Sequence, residues 1–165
     1  MINRALLVAG TLVVAAAGGG CHHRSRSAAA QPTSPDSLVG FVSVTGTSFE
    51  QQIVLRTGSG VRALALSSTA DSAALATLGG VEVKAYGTAH VERFEVSAFT
   101  VESVDGAAVV DGVLMRDGSH YSLRTRGGDV ALGHPPTAFE ELIGARLWVG
   151  GPPDSGPIVY GVIAR

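Results

Sequence analysis

Residues 40–66 read GFVSVTGTSFEQQIVLRTGSGVRALAL, and residues 112–132 read GVLMRDGSHYSLRTRGGDVAL. Both stretches alternate apolar and polar side chains in short runs broken by Gly, Ser and Asp, the pattern of half-buried strands joined by tight turns. Leu55-Arg56-Thr57 returns as Leu123-Arg124-Thr125, Gly60 as Gly128 and Leu64 as Leu132, all at one offset of 68 residues. Upstream, Gly40 and Gly46 are answered by Gly112 and Gly118. Working outward from the first stretch, Gly40–Val44 is a strand. A second runs through Ile53 and Leu55 to the Gly58-Ser59-Gly60 turn, and Ala63–Leu66 is a third. TADSAALATL follows as a short helix, capped by Ser68 or Thr69 and ended by Gly79-Gly80. Val81–Tyr86 and Phe94–Val101 are the fourth and fifth strands. The helix AFEELIG and the strands Leu147–Val149 and Ile158–Ile163 repeat the order downstream, so an internal duplication is expected.

Five strands with a helix between the third and fourth is the element order of the OB-fold, and both halves resemble a minimal version of it. The resemblance implies a mainly β chain with two tandem OB-like barrel lobes (β-β-β-α-β-β each), residues 38–104 and 107–165. The alternative is a single barrel or sandwich of about ten strands. Lobes of this size bury little surface alone, so a shared interface is expected. In OB-folds the ligand face lies across the second and third strands. If Leu55 and Leu123 point inward, alternation sends Arg56 and Arg124 outward, with Gln52, His120 and Ser122 beside them. These five are the candidate ligand-binding residues; the competing reading makes them solvated strand residues. Tyr121 shares the inward parity of Leu123, and Phe41, Phe94, Phe99 and Trp148 fall mostly on positions that core packing claims.

Residues 1–21 read MINRALLVAGTLVVAAAGGGC. Arg4 is a positive n-region, and Ala5–Ala17 is an uncharged stretch of thirteen residues. That is short of the about 20 needed to span a bilayer core, so residues 1–20 are expected to be a signal peptide. Cys21, the sole cysteine, follows three glycines and resembles the lipobox of bacterial lipoproteins, with Gly18 where Leu is usual. The resemblance implies thioether lipidation and amine acylation of Cys21, which anchors the chain to a lipid bilayer. His22 stands where an Asp would retain the protein at an inner membrane, which implies an outer membrane where the organism has two. The alternative is cleavage after Ala15-Ala16-Ala17, giving a secreted or periplasmic protein with a free thiol. Residues 21–37 are then the lipidated Cys and a flexible tether, rich in Ser, Ala and Pro without hydrophobic periodicity.

The 165 residues are 45% hydrophobic and 16% charged with a net charge of −2, which excludes a disordered chain. Nucleic acid as a partner is also excluded, because a basic stripe is required to displace its counterions. One cysteine permits no internal disulfide, so the fold rests on its core. His90, His120 and His134 lie in different elements, and His22-His23 in the tether, none at metal-ligand spacing. No GxSxG or phosphate loop occurs, and Glu140-Glu141 reads as first-turn helix stabilisation. The chain is therefore expected to be a non-enzymatic envelope lipoprotein without cofactor, acting as a binding or scaffold module for an envelope protein, a glycan or a small ligand. The alternatives are a small-ligand or glycan binder using the Arg56 and Arg124 faces, and a secreted protein of other function.

Overall fold

The alternation of apolar and polar residues is realised as ten strands, seen in a computed structural model that describes residues 36–47, 50–155 and 158–165. The leader, Cys21 and residues 22–35 of the tether lie outside the described residues. In chain order the elements are β1 (Asp36–Thr47), β2 (Glu50–Thr57), β3 (Gly60–Leu66), α1 (Thr69–Ala76), β4 (Glu82–Ala89) and β5 (Arg93–Val104). Then come β6 (Ala107–Asp117), β7 (His120–Thr125), β8 (Gly128–Leu132), a 3-10 turn at Thr137–Leu142, β9 (Arg146–Gly150) and β10 (Val159–Ala164). The strand β1 begins at Asp36, inside the expected tether. Asp36 and Ser37 pair with Gly87 and Tyr86, and the Asp36 carboxylate accepts the Ala89 amide at 3.3 Å.

The first five strands close on themselves. β1 pairs with β2 and β4, β2 with β3, β4 with β5, and β3 with β5 in parallel, giving a five-stranded barrel. One long strand serves two neighbours. β1 meets β4 through Asp36–Phe41 and β2 through Phe41–Thr47. The change of partner is possible because Gly40, lacking a Cβ, lets the Arg56 carbonyl sit where a side chain would begin. A register shift in β5 between Val96 and Ala98 keeps Phe94, Val96, Phe99 and Val101 all facing the core. The helix α1 plugs the barrel with Leu75; Ser68 caps it by accepting the Asp71 amide at 3.3 Å.

The two tandem lobes expected from the sequence are not there. All ten strands belong to one sheet: a single closed five-stranded barrel with five strands attached. Asp105 and Gly106, both at positive φ, form a two-residue hairpin turn that joins β5 directly to β6. The attached strands pair in the order β10-β9-β6-β7-β8, but no β8–β10 ladder closes them among the described residues. Their core is Leu114, Tyr121, Leu123, Leu132, Leu147 and Val149, filled by Phe139 of the 3-10 turn. The expected helix at AFEELIG is thus a 3-10 turn, entered from Pro136 with no side-chain cap. A register irregularity in β10 turns Ile163 into the barrel core, where Trp148 also packs, so the two cores are knitted together.

Gly112 repeats the device of Gly40, for an added Cβ would lie 2.7 Å from the Arg124 carbonyl oxygen. Gly112→Ala is expected to lose about 1–3 kcal/mol of unfolding free energy in urea titrations, as overpacked sites do. Gly58→Ala, whose Cβ meets nothing within 4 Å, should stay within about 0.5 kcal/mol.

Candidate functional site

Leaving the Asp105-Gly106 turn, β5 and β6 share only two residue pairs, Ser103 with Ala108 and Val104 with Ala107, and then splay apart. Alternate residues of a strand direct their backbone groups to the same edge. Phe99 and Val101 therefore present a carbonyl and an amide to the opening gap with no strand to receive them. Two side chains take the place of the missing ladder. Asp111 of β6 accepts the Val101 amide at 2.9 Å, and Arg146 of β9 donates to the Phe99 carbonyl at 2.5 Å. These two side chains also bind each other in a fork, with nitrogen–oxygen distances of 2.9 and 2.5 Å. The Asp111 side chain is only 3% exposed and that of Arg146 24%. The guanidinium lies 4.2 Å from the Phe99 ring centre, so its face is stacked as well.

The splay leaves a depression of about 160 Å³ whose floor is this pair and whose rim carries Arg124 and Arg126. A second depression of about 260 Å³ shares Thr100, Asp111 and Arg126 with it and extends past Tyr86, Glu102 and Thr125. The two form one trough between the barrel wall and the β7–β8 hairpin. Three guanidinium groups and one carboxylate line its inner end. Arg146 is matched by Asp111. Arg124 stands 3.7 Å from Asp129, an exposed pair that holds it weakly. Arg126 has no carboxylate within 4.0 Å among the described residues; its guanidinium stacks on Tyr86 with 4.2 Å to the ring centre.

Of the residues expected to bind ligand, only Arg124 lines this trough. Leu55 and Leu123 are fully buried, and Arg56, Gln52, Arg124 and His120 are exposed while Ser122 is half-buried; Val54, of the same parity as Gln52 and Arg56, is buried. Arg56 borders a separate depression with Phe41, Val42, Ser43 and Gly80. Phe41, expected in the core, is 48% exposed there. His120 closes the β6–β7 hairpin opposite Asp117, and Ser122 sits between Met115 and Ala131. Cys21 lies outside the described residues. Among the described histidines, His90 pairs with Glu95 at 3.2 Å and His120 and His134 are exposed. No cluster of three His, Cys, Asp or Glu side chains able to hold a metal is found among the described residues.

Asp111, Tyr86, Arg126 and Arg146 carry the trough yet escape a strand-by-strand reading. One signal was present: Asp111 is a lone carboxylate inside the apolar run AAVVDGVLM, where a charge survives only with a partner. Asp111→Ala would leave Arg146 and the Val101 amide without their acceptor, and should cost about 3–5 kcal/mol in denaturant titrations. Arg126→Ala removes only an exposed stack, and the same titration should register at most about 1 kcal/mol. Comparison of the chain with protein-family models, with curated proteins and with solved structures gives no match.

Proposed function

We propose that the chain is an exported, lipid-anchored binding module whose ligand, a small molecule or a glycan, occupies the trough at the β5–β6 splay. The observation that carries this reading is the convergence of Arg124, Arg126 and Arg146 on one concave surface. Ligand sites are concave surfaces with a few convergent polar groups. The barrel supplies one wall and the β7–β8 hairpin the other, with Arg124 and Arg146 held on strands and Arg126 on the tight turn between β7 and β8. The Arg56 face gives less support, because its arginine stands alone beside Phe41.

The anchor is supported by the leader and the Gly18-Gly19-Gly20-Cys21 register. Among the described residues no helix is long and apolar enough to cross a membrane. Acylation of Cys21 would supply the attachment. Intact-mass analysis of protein from its own membranes should give a chain starting at Cys21 with diacylglyceryl and acyl mass. Cys21→Ser should move it to the soluble fraction. An unmodified chain starting near Gly18 would remove the anchor.

The trough is tested by amide NMR on the full chain in non-ionic detergent, titrated with envelope oligosaccharides and small metabolites. Binding should shift the amides of Thr100, Gly112, Val113, Arg126 and Gly127 and leave those of Gln52 and Arg56 in place. Shifts centred on Phe41 and Arg56, or no response to any compound, would contradict the proposal.

A further inference from the structure

We infer that the trough takes an acidic saccharide, its carboxylate or sulfate group seated between Arg124 and Arg126 and its ring hydroxyls over Thr100 and Glu102; this rests on the trough being the ligand site.

The two ends of the trough differ in chemistry. At the inner end three guanidinium groups face one carboxylate, a local excess of cation in a chain whose formal net charge is −2. Asp111 holds Arg146 in a fork through Nε and Nη2, and Nη2 also donates to the Phe99 carbonyl, so three of its five N–H donors are committed to the fold. The other two guanidinium groups are differently placed. Arg124 keeps only a long contact with Asp129. Arg126 lies over Tyr86, 4.2 Å from the ring centre, and no hydrogen bond or ion pair among the described residues commits its N–H donors. Two planar forks with uncommitted donors on one rim match the geometry of an oxyanion, which accepts paired N–H bonds. Arg146, its charge matched by Asp111, keeps only Nη1 uncommitted on the same surface.

The outer end carries no such excess. Glu102, Thr100 and Thr125 line it beside the half-buried Val109 and Val110. The Thr100 hydroxyl donates to the Glu102 carboxylate at 2.9 Å, which orients both groups in advance. A carboxylate and hydroxyls next to aliphatic surface suit a ring bearing alternating hydroxyl and C–H groups. The same carboxylate disfavours a ligand that is anionic along its whole length, such as a nucleic acid. One anionic group at one end of a neutral, hydroxylated body satisfies both halves of the trough.

The test compares three ligands on the full chain in non-ionic detergent by titration calorimetry: a disaccharide of one neutral sugar and one uronic acid, its methyl-esterified counterpart, and inorganic sulfate or phosphate alone. Esterification removes the charge and keeps the saccharide. The acid form should bind at least tenfold more tightly than the ester and than either free anion. Arg126→Ala should weaken it about tenfold and Arg126→Lys by less, because the point charge remains while the fork is lost. Arg56→Ala should leave it unchanged, and the melting transitions of all variants report whether they fold. Equal binding of acid and ester, or no effect of Arg126→Ala in a folded variant, would overturn the oxyanion seat. Free sulfate or phosphate binding as tightly as the saccharide would overturn the saccharide assignment. If trough amides shift with a neutral ligand while the acid saccharide does not bind, the acidic class is wrong and the trough still stands as the site. No response to any ligand removes both.

Discussion

The fork between Asp111 and Arg146 sets where the barrel ends and the attached strands begin. A ladder between β5 and β6 could have continued past its two residue pairs, and the sheet would then run flat from one half to the other. Instead the strands part, and the backbone groups of Phe99 and Val101 are received by side chains. Burying a charged pair seldom adds net stability over an apolar pair of the same size, whereas removing one partner is costly. The pair is best understood as a constraint on geometry. It fixes the separation of β5, β6 and β9 at one point, and the trough is the space that this separation opens.

The two halves answer the same packing problem in different ways. In each, a long strand with an internal glycine changes partner at the next residue: Gly40 before Phe41 and Gly112 before Val113. In each, the middle hairpin is pinned by a threonine hydroxyl donating to a glycine carbonyl, Thr57 to Gly60 at 2.9 Å and Thr125 to Gly128 at 2.6 Å. The barrel then closes through four β3–β5 residue pairs. In the attached strands an aromatic cluster fills the corresponding space. Phe139 stands edge-on to Tyr160 at 4.9 Å and 6.4 Å from Tyr121. With Ile163 diverted into the barrel core, the attached strands depend on the barrel for their own packing.

Much of the fold was legible in the residues. The ten strands, the cap at Ser68 and the inward parity of Leu55, Leu123 and Tyr121 follow from alternation and turn chemistry, which are local. The way the halves join was not. Asp105-Gly106 is a strong two-residue hairpin signal, but placed between two similar halves it reads as a domain boundary. Whether a set of five strands closes is decided by a pair far apart in sequence. The 3-10 turn differs from α1 because it starts from Pro136, which offers no capping side chain. In the trough, Arg124 sits on a strand, where alternation marks it as outward-facing. Arg126 occupies a turn, where parity says nothing, and Asp111 meets Arg146 across 35 residues of sequence.

The side chains that replace the ladder hold the splay open, and the amide of Val101 reports on them directly. Residue-resolved hydrogen exchange on the full chain should find this amide protected as strongly as its neighbours in the β4–β5 ladder, although no strand receives it. In Asp111→Asn, which keeps the shape and removes the charge, its protection should fall while that of the ladder amides changes much less. A Val101 amide that exchanges as fast as an exposed turn in the unaltered protein would contradict the bridge, and with it the origin of the trough.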